Sequence, residues 1–148
     1  MSKNPQTTAK GRLRFWLQLL KASKHIENEL RERMRREFDT TLPRFDVMAM
    51  LAKSGTGLKM SQLSGELMVS NGNVTGIVDR LVSEGLIERA AIKGDRRATL
   101  VRLTDKGHTD FSQMAQVHEG WVNELFNGLD DTDIETASAT LAQIRELT

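Results

Sequence analysis

Two groups of side chains in this chain are of the kind that reads nucleic acid. The first is Ser70-Asn71-Gly72-Asn73-Val74-Thr75-Gly76, where amide and hydroxyl groups sit at the start of a helix-forming pattern. Asn can bond adenine bidentately, while Ser and Thr contact phosphates or thymine methyl groups. The second is Ile92-Lys93-Gly94-Asp95-Arg96-Arg97-Ala98, a glycine-containing, cation-rich tip between two short strand-forming runs. Such a tip is narrow enough to enter a minor groove, where a narrow A·T-rich tract draws Arg96 and Arg97 by its negative potential. Asp95 would repel phosphate, so it needs a local task. A carboxylate bonded to Arg97 would stiffen the guanidinium and aim it. Taken alone, the seven residues equally describe an ordinary solvated hairpin, and their neighbours have to decide.

Other chemistry has little support. Cysteine is absent, which excludes disulfides, thiolate metal sites and thiol-based redox sensing. His25, His108 and His118 are far apart or on different helical faces, without the ligand spacing of a metal site. There is no phosphate-binding glycine loop, nucleophile elbow or metalloprotease motif. An enzyme is not expected, and no cofactor is implied.

The neighbouring elements supply the context. Leu86-Ile87-Glu88-Arg89-Ala90 and Thr99-Leu100-Val101-Arg102-Leu103 flank the tip as strands, with Gly94-Asp95 as turn chemistry. Before them, Lys59 to Met68 reads as a turn and short helix. Val74, Ile77, Val78 and Leu81 then repeat at helical spacing, closed by Gly85 as a left-handed stop. Two short helices and a tight turn make a helix-turn-helix, whose second helix presents its first residues to base edges. Gly72 and Gly76 each weaken a helix by up to about 1 kcal/mol relative to Ala. Close backbone approach to DNA would explain them, although a polar helix start with an Asn-Gly turn is the plainer reading. Arg80 and Arg89 suit either phosphate or solvent.

Outside this lobe, a proline-free stretch from about Ala9 to Phe38 carries Leu13, Trp16, Leu17, Leu20, Leu30, Met34 and Phe38 on one helical face and Phe15, Leu19, Ala22 and Ile26 on another. A helix covered on two faces suggests a partner chain. Thr41 and Pro43 open a second helix with Phe45, Met48, Ala49 and Ala52 inward. After the hairpin, Thr104 caps a helix with a stripe from Phe111 to Phe126. Asp130, Asp131 and Asp133 open a last helix, and Ile134, Ala137, Leu141, Ile144 and Leu147 form a packing seam.

Charge follows the same division. The net of +1 resolves into +6 over residues 1–38, balance over 39–58, +2 over 59–107 and −7 over 108–148. One cationic surface and one acidic end would orient the molecule on DNA. The 148 residues, 39% apolar and 28% charged, suit one domain or a compact protomer. No apolar run spans a bilayer and no signal-peptide core is seen, so a cytoplasmic protein without membrane attachment is expected.

In order along the chain, the long first helix, Met60-Ser61-Gln62-Leu63-Ser64, Asn73-Val74-Thr75-Gly76-Ile77-Val78-Asp79-Arg80-Leu81, Gly94-Asp95-Arg96-Arg97 and two final helices resemble a MarR-family transcriptional regulator over nearly the whole length. The fold expected is mainly α with a small β-hairpin wing: a winged helix-turn-helix with long N- and C-terminal dimerisation helices. The divisions are 1–40 for the first dimerisation helix, 41–103 for the DNA-binding lobe and 104–148 for the C-terminal dimerisation helices.

The resemblance implies a homodimer on a pseudopalindromic double-stranded operator. Ser70, Asn71, Asn73, Thr75 and Arg80 would lie at the major groove and backbone, Arg96 and Arg97 at the minor groove, with Asp95 orienting Arg97. Gly76 stands where many relatives carry a basic residue, which removes one phosphate contact.

The resemblance also implies a repressor released by a small aromatic effector in the cleft beside the DNA-binding lobe. Phe15, Trp16, Leu19, Arg44, Phe45, Met48, Met68 and Val69 are the candidates, although such aromatic and Met stripes are commonly core. Arg44, among apolar neighbours, could pair with an acid. Leu42-Pro43-Arg44-Phe45-Asp46 with Met68 to Thr75 is more narrowly similar to the branch sensing aromatic CoA thioesters. Arg33 and Arg36, within the cluster Arg31, Arg33, Arg35 and Arg36, would meet the CoA, or form a solvated face balanced by Glu29, Glu32 and Glu37. The effector is thus an aromatic CoA thioester or a free aryl acid, as in regulators of aromatic catabolism. An architectural DNA-binding protein without an effector is the alternative.

Overall fold

The computed structural model describes residues 5–67 and 71–146, and within them the side chains of all but Pro5, Asn71, Gly72, Arg96, Arg97 and Ala98. Helix α1 (Pro5–Phe38) begins with a proline, tolerated there because a first-turn N–H has no helical partner. Its second half buries Leu30 and Met34 beside Leu42 and Phe45. In its first half Leu13, Phe15, Trp16 and Leu17 stay 44–57% exposed.

Helix α2 (Leu42–Ser54) starts where expected: the Thr41 hydroxyl accepts the Arg44 N–H at 3.3 Å, Pro43 lies in the first turn, and Gly55 at φ 70° stops it. A two-residue strand β1 (Leu58–Lys59) precedes α3 (Met60–Leu67). The sequence expects a turn and helix there, because two residues carry no periodic signal. Gly57, at φ +108°, makes the strand possible, since a Cβ on it would lie 2.8 Å from the Val101 carbonyl oxygen.

Helix α4 (Asn71–Ser83) buries Val74, Val78 and Leu81 completely, each worth roughly 1.5–3 kcal/mol of transfer free energy. Gly85, at φ +77°, closes it. The Gly85 N–H donates to the Val82 carbonyl at 3.0 Å and the Leu86 N–H to the Leu81 carbonyl at 2.9 Å, the paired bonds of a Schellman end.

Strands β2 (Ile87–Ile92) and β3 (Asp95–Leu103) form the wing, with β3 between β1 and β2 in an antiparallel sheet. The strands run further toward the tip than the sequence indicates. Lys93 and Gly94 form the turn, Gly94 at φ +90°, and Asp95 pairs with Ile92. The single step from Ala91 to Ile92 on β2 faces the four from Thr99 to Asp95 on β3. This irregularity re-aims the segment holding Arg96 and Arg97, as bulges do.

Helix α5 (Asp105–Leu125) is bolted to the end of α4. Thr104 accepts the Gly107 N–H at 3.0 Å and donates its own hydroxyl hydrogen to the Gly85 carbonyl at 2.6 Å. The Thr104 N–H donates to the Leu86 carbonyl at 3.0 Å. A Cβ on Gly107 would stand 2.0 Å from that Leu86 oxygen. Helix α6 (Asp131–Glu146) opens on a reciprocal cap: Asp130 accepts the Asp133 N–H at 2.8 Å, and Asp133 accepts the Asp130 N–H at 3.2 Å. This is a capping box built from two aspartates.

Two cores result. One lies within the lobe around Val47, Leu51, Leu63, Val78 and Val101. The other joins α1 and α2 to α5, with Phe111, Met114 and Trp121 against Leu30, Met34 and Phe45. No residue of α6 is buried.

Candidate nucleic-acid interface

The apolar stripe of α4 dictates which side chains face out. With Val74, Val78 and Leu81 inward, Asn73, Thr75, Gly76, Asp79 and Arg80 lie on the exposed face. A Cβ at Gly76 would meet nothing within 4 Å, so packing within the chain does not require glycine there. Asn71 is the first residue of α4, with its side chain outside the described set, and Ser70 lies outside the described residues altogether.

Val74, Val78 and Leu81 of this helix share one buried core with Ile87, Val101 and Leu103 of the wing strands, and an ion pair spans the same junction. Arg89 on β2 is bonded to Asp79 on α4, so it is neither free in solvent nor available to phosphate without giving up that carboxylate. Glu88 and Arg102, opposite one another in the register, form a second pair at 2.7 Å across the strands. Lys93 and Asp95 are exposed at the tip. The backbones of Arg96 and Arg97 belong to β3 while their side chains lie outside the described set, so the clamp of Asp95 on Arg97 stays a proposal.

Behind α4, a cavity of about 420 Å³ opens between the end of α1, α2, the turn after α4, and α5. Phe38, Met48 and Met114 give it an apolar wall, and Asp39, Glu84 and Asp110 bring carboxylates to it. Arg44 is the one cation among its described lining residues, and its guanidinium is bonded to Glu84. The Arg44 Nε is fully buried and has no hydrogen-bond acceptor among the described residues. On its other side Arg44 lines a groove of about 350 Å³ with Thr41, Asn73, Gly76 and Arg80. It therefore stands between the cavity and the exposed face of α4.

Several residues expected at the effector site are elsewhere. Phe45 is core, stacked on Phe111 at 5.5 Å and against His118 at 4.6 Å. Phe15 lines an open depression with Thr8, Gly11 and Arg12 of its own helix. Trp16 is 53% exposed and Leu19 half-buried, and neither reaches the Arg44 cavity within one chain. Arg33 is bonded to Glu124 at 2.9 Å and lies 3.8 Å from Glu29, while Arg36 lies 3.9 Å from Glu32. Arg33 thus ties α1 to α5, Arg36 pairs along its own helix, and neither lines the cavity. Met68 and Val69 lie outside the described residues.

The cavity's Asp39, Glu84 and Asp110 were not expected. Glu84 and Arg44 are 40 positions apart, beyond any local pattern, whereas Asp110 lies one helical turn before Met114 of the α5 stripe and was legible there. His118 packs as a ring, and burial pushes its pKa below the ordinary histidine value. Among the described residues no three His, Asp or Glu converge as metal ligands, and no helix is long and apolar enough to cross a membrane.

The MarR family model matches residues 40–99, the stretch from the end of α1 into the wing. A MarR family transcriptional regulator from Silicibacter pomeroyi is similar along the whole length: 35% identity, 97% of this chain and 98% of that one, TM-score 0.78. The chain belongs to the MarR family. MarR from Escherichia coli, as a mutant complexed with operator DNA, is similar at 26% identity over 97% of this chain and 99% of that one, with TM-score 0.75. Among curated relatives, the regulator PecS of Dickeya dadantii is 29% identical and the repressor IacR of Pseudomonas putida 27% identical, over 69% and 74% of this chain. The matches take in 63% and 65% of those two proteins' lengths. The Silicibacter pomeroyi and Dickeya dadantii relatives are transcriptional regulators rather than enzymes.

Proposed function

We propose that this protein is a sequence-specific, DNA-binding transcriptional repressor that acts as a homodimer in the cytoplasm on a pseudopalindromic operator. The observation that carries this reading is the exposed face of α4, with Asn73, Thr75, Arg80 and the open Gly76, held to the wing by Asp79 and Arg89. Ser70, Asn71, Asn73 and Thr75 read the major groove, Arg80 contacts the backbone, and Arg96 and Arg97 enter the minor groove with Asp95 orienting Arg97. Residues 1–40 and 104–148 dimerise, and 41–103 form the DNA-binding lobe. The exposed apolar residues of α1 and α6, including Trp16 at 53%, Leu141 at 42% and Ile144 at 41%, support that division.

The repressor is released by a small aromatic effector in the Arg44 cavity, whose volume of about 420 Å³ suits such a ligand. The effector binds better to a conformation in which the two recognition helices no longer match major grooves about 34 Å apart. Of the effectors expected from the sequence, an aryl acid or an aryl-CoA thioester, the cavity supports the aromatic part. An acid would meet an Arg44 whose guanidinium already carries Glu84 as a partner. The test is a gel-shift titration on DNA from the gene's own upstream region, with phenolic acids and their CoA thioesters added separately. Release by any of them supports the effector reading. Binding that none of them releases removes those effectors and leaves DNA recognition standing, and equal affinity for unrelated DNA favours an architectural protein.

A further inference from the structure

The groove on the other side of Arg44 from the cavity is built from two elements. Thr41 and Arg44 come from the start of α2, and Asn73, Gly76 and Arg80 from α4. Gly76 and Arg80 are four positions apart and share one helical face. No carboxylate is among the described residues lining the groove. The two acids of this part of α4 and its closing turn are engaged: Asp79 by Arg89, and Glu84 by Arg44, with the Lys106 ammonium 3.1 Å from the Glu84 carbonyl oxygen. Asp39, shortly before Thr41, lines the cavity instead and interacts with Arg35. These pairs cancel, and the exposed Arg80, without an ion pair among the described residues, is the charge left over in the groove. Its floor is open as well. Glycine inside a helix costs up to about 1 kcal/mol relative to Ala, yet a Cβ at Gly76 would meet nothing within 4 Å. Packing within the chain therefore has no use for the missing methyl, whereas close approach of an outside group to the backbone has.

We propose that this groove seats one phosphate of the operator backbone, clamped between Arg44 and Arg80 over Gly76, which makes Arg44 a DNA-binding residue. Arg80 supplies the uncompensated charge. Arg44 holds Glu84 through Nη2, which leaves the Nη1 hydrogens for the phosphate. Asn73 lines the same groove, so a phosphate seated there sets the register in which α4 meets the bases. The proposal rests on the reading of α4 as the DNA-reading helix and adds to it a contact from α2.

A phosphate contact is visible in the salt dependence of binding, because each one lost reduces the slope of log affinity against log salt by about 0.9. Gel-shift titrations over a salt series, on the upstream fragment and on unrelated DNA, read that slope for the native protein and its variants. Arg44→Gln should reduce it by about 1.8 for a dimer and weaken both DNAs alike, by roughly tenfold or more. Arg44→Lys keeps a point charge without the planar fork and should keep the native slope. Gly76→Leu fills the floor of the groove with a better helix former, and should raise the melting temperature while lowering both the slope and the affinity. A native slope in Arg44→Gln overturns the proposal, as does a slope in Arg44→Lys as low as in Arg44→Gln. A loss confined to the upstream fragment also overturns it, since Arg44 would then read bases. Should Arg44→Gln fail to fold, the slope of Gly76→Leu decides in its place. A native protein that binds no DNA removes the reading of α4 together with the proposal. Inorganic phosphate titrated calorimetrically into the DNA-free protein separates a strand from a free anion. No saturable binding is expected; saturable binding lost in Arg44→Gln, with a native salt slope in that variant, assigns the groove to the free anion and overturns the strand.

Discussion

His118 shows how a polar residue can serve packing. Its imidazole lies 4.6 Å from the Phe45 ring, between α5 and α2. Burial lowers its pKa from the ordinary 6.5, so the folded state takes up this proton less readily than the unfolded chain. The stabilisation from keeping it neutral is therefore present above 6.5 and lost as pH falls through the folded value. Asp46 works in the opposite direction: burial first, and the nearby Glu27 second, raise its pKa, so its ionisation opposes folding as pH rises. Urea midpoints at about pH 7.5 and about pH 5.5 should fall toward acid in the native protein and fall less in His118→Gln. An equal fall in both proteins would remove His118 as the cause.

Individual residues were legible in the sequence where their task is local. Thr41, Thr104 and Gly85 each act within one helical turn, so residue type and position were enough to assign them. The bonds of Arg89 to Asp79 and of Arg44 to Glu84 join separate elements, and no spacing announces them. Phe45, buried against Phe111, could not be assigned from spacing for the same reason: an apolar residue one turn inside a helix looks alike whether it lines a cavity or fills a core.

At the scale of elements, the helices follow from periodicity and caps, and the wing from its flanking strands and glycine turn. What periodicity could not show is contact between distant elements. Strand β1 exists because Gly57 lets the chain pass against Val101, and α5 docks because Gly107 lets it approach Leu86. The second contact joins α5 to the turn that closes α4. Gly107→Ala would place a methyl 2.0 Å from a backbone oxygen, overpacking that typically costs about 1–3 kcal/mol. Thermal unfolding should shift down by roughly 2–4 °C for each kcal/mol lost. A melting temperature equal to that of the native protein would show that the junction is softer than the geometry indicates.

For the whole molecule, the uncovered surface is concentrated on α1 and α6. Leu13, Phe15, Trp16 and Leu17 are 44–57% exposed, and Ile134, Leu141 and Ile144 are 39–42% exposed. In a two-fold dimer each substitution counts twice, so Trp16→Glu should lose roughly 3–6 kcal/mol of association at about 1.5–3 kcal/mol per buried large side chain. Sedimentation should then show the native protein as a dimer and the variant shifted toward monomer. A native monomer would refute the proposed arrangement of residues 1–40 and 104–148.

The central claim is that α4 and the wing together read one DNA sequence in two grooves. Gel-shift titration at fixed salt, with upstream DNA against unrelated competitor, tests it most directly when the native protein is compared with Arg97→Ala. The native protein should prefer the upstream fragment by about a thousandfold or more, and Arg97→Ala should lose roughly 1–3 kcal/mol together with its preference for A·T-rich flanks. Equal binding to both DNAs, unchanged in Arg97→Ala, would contradict it.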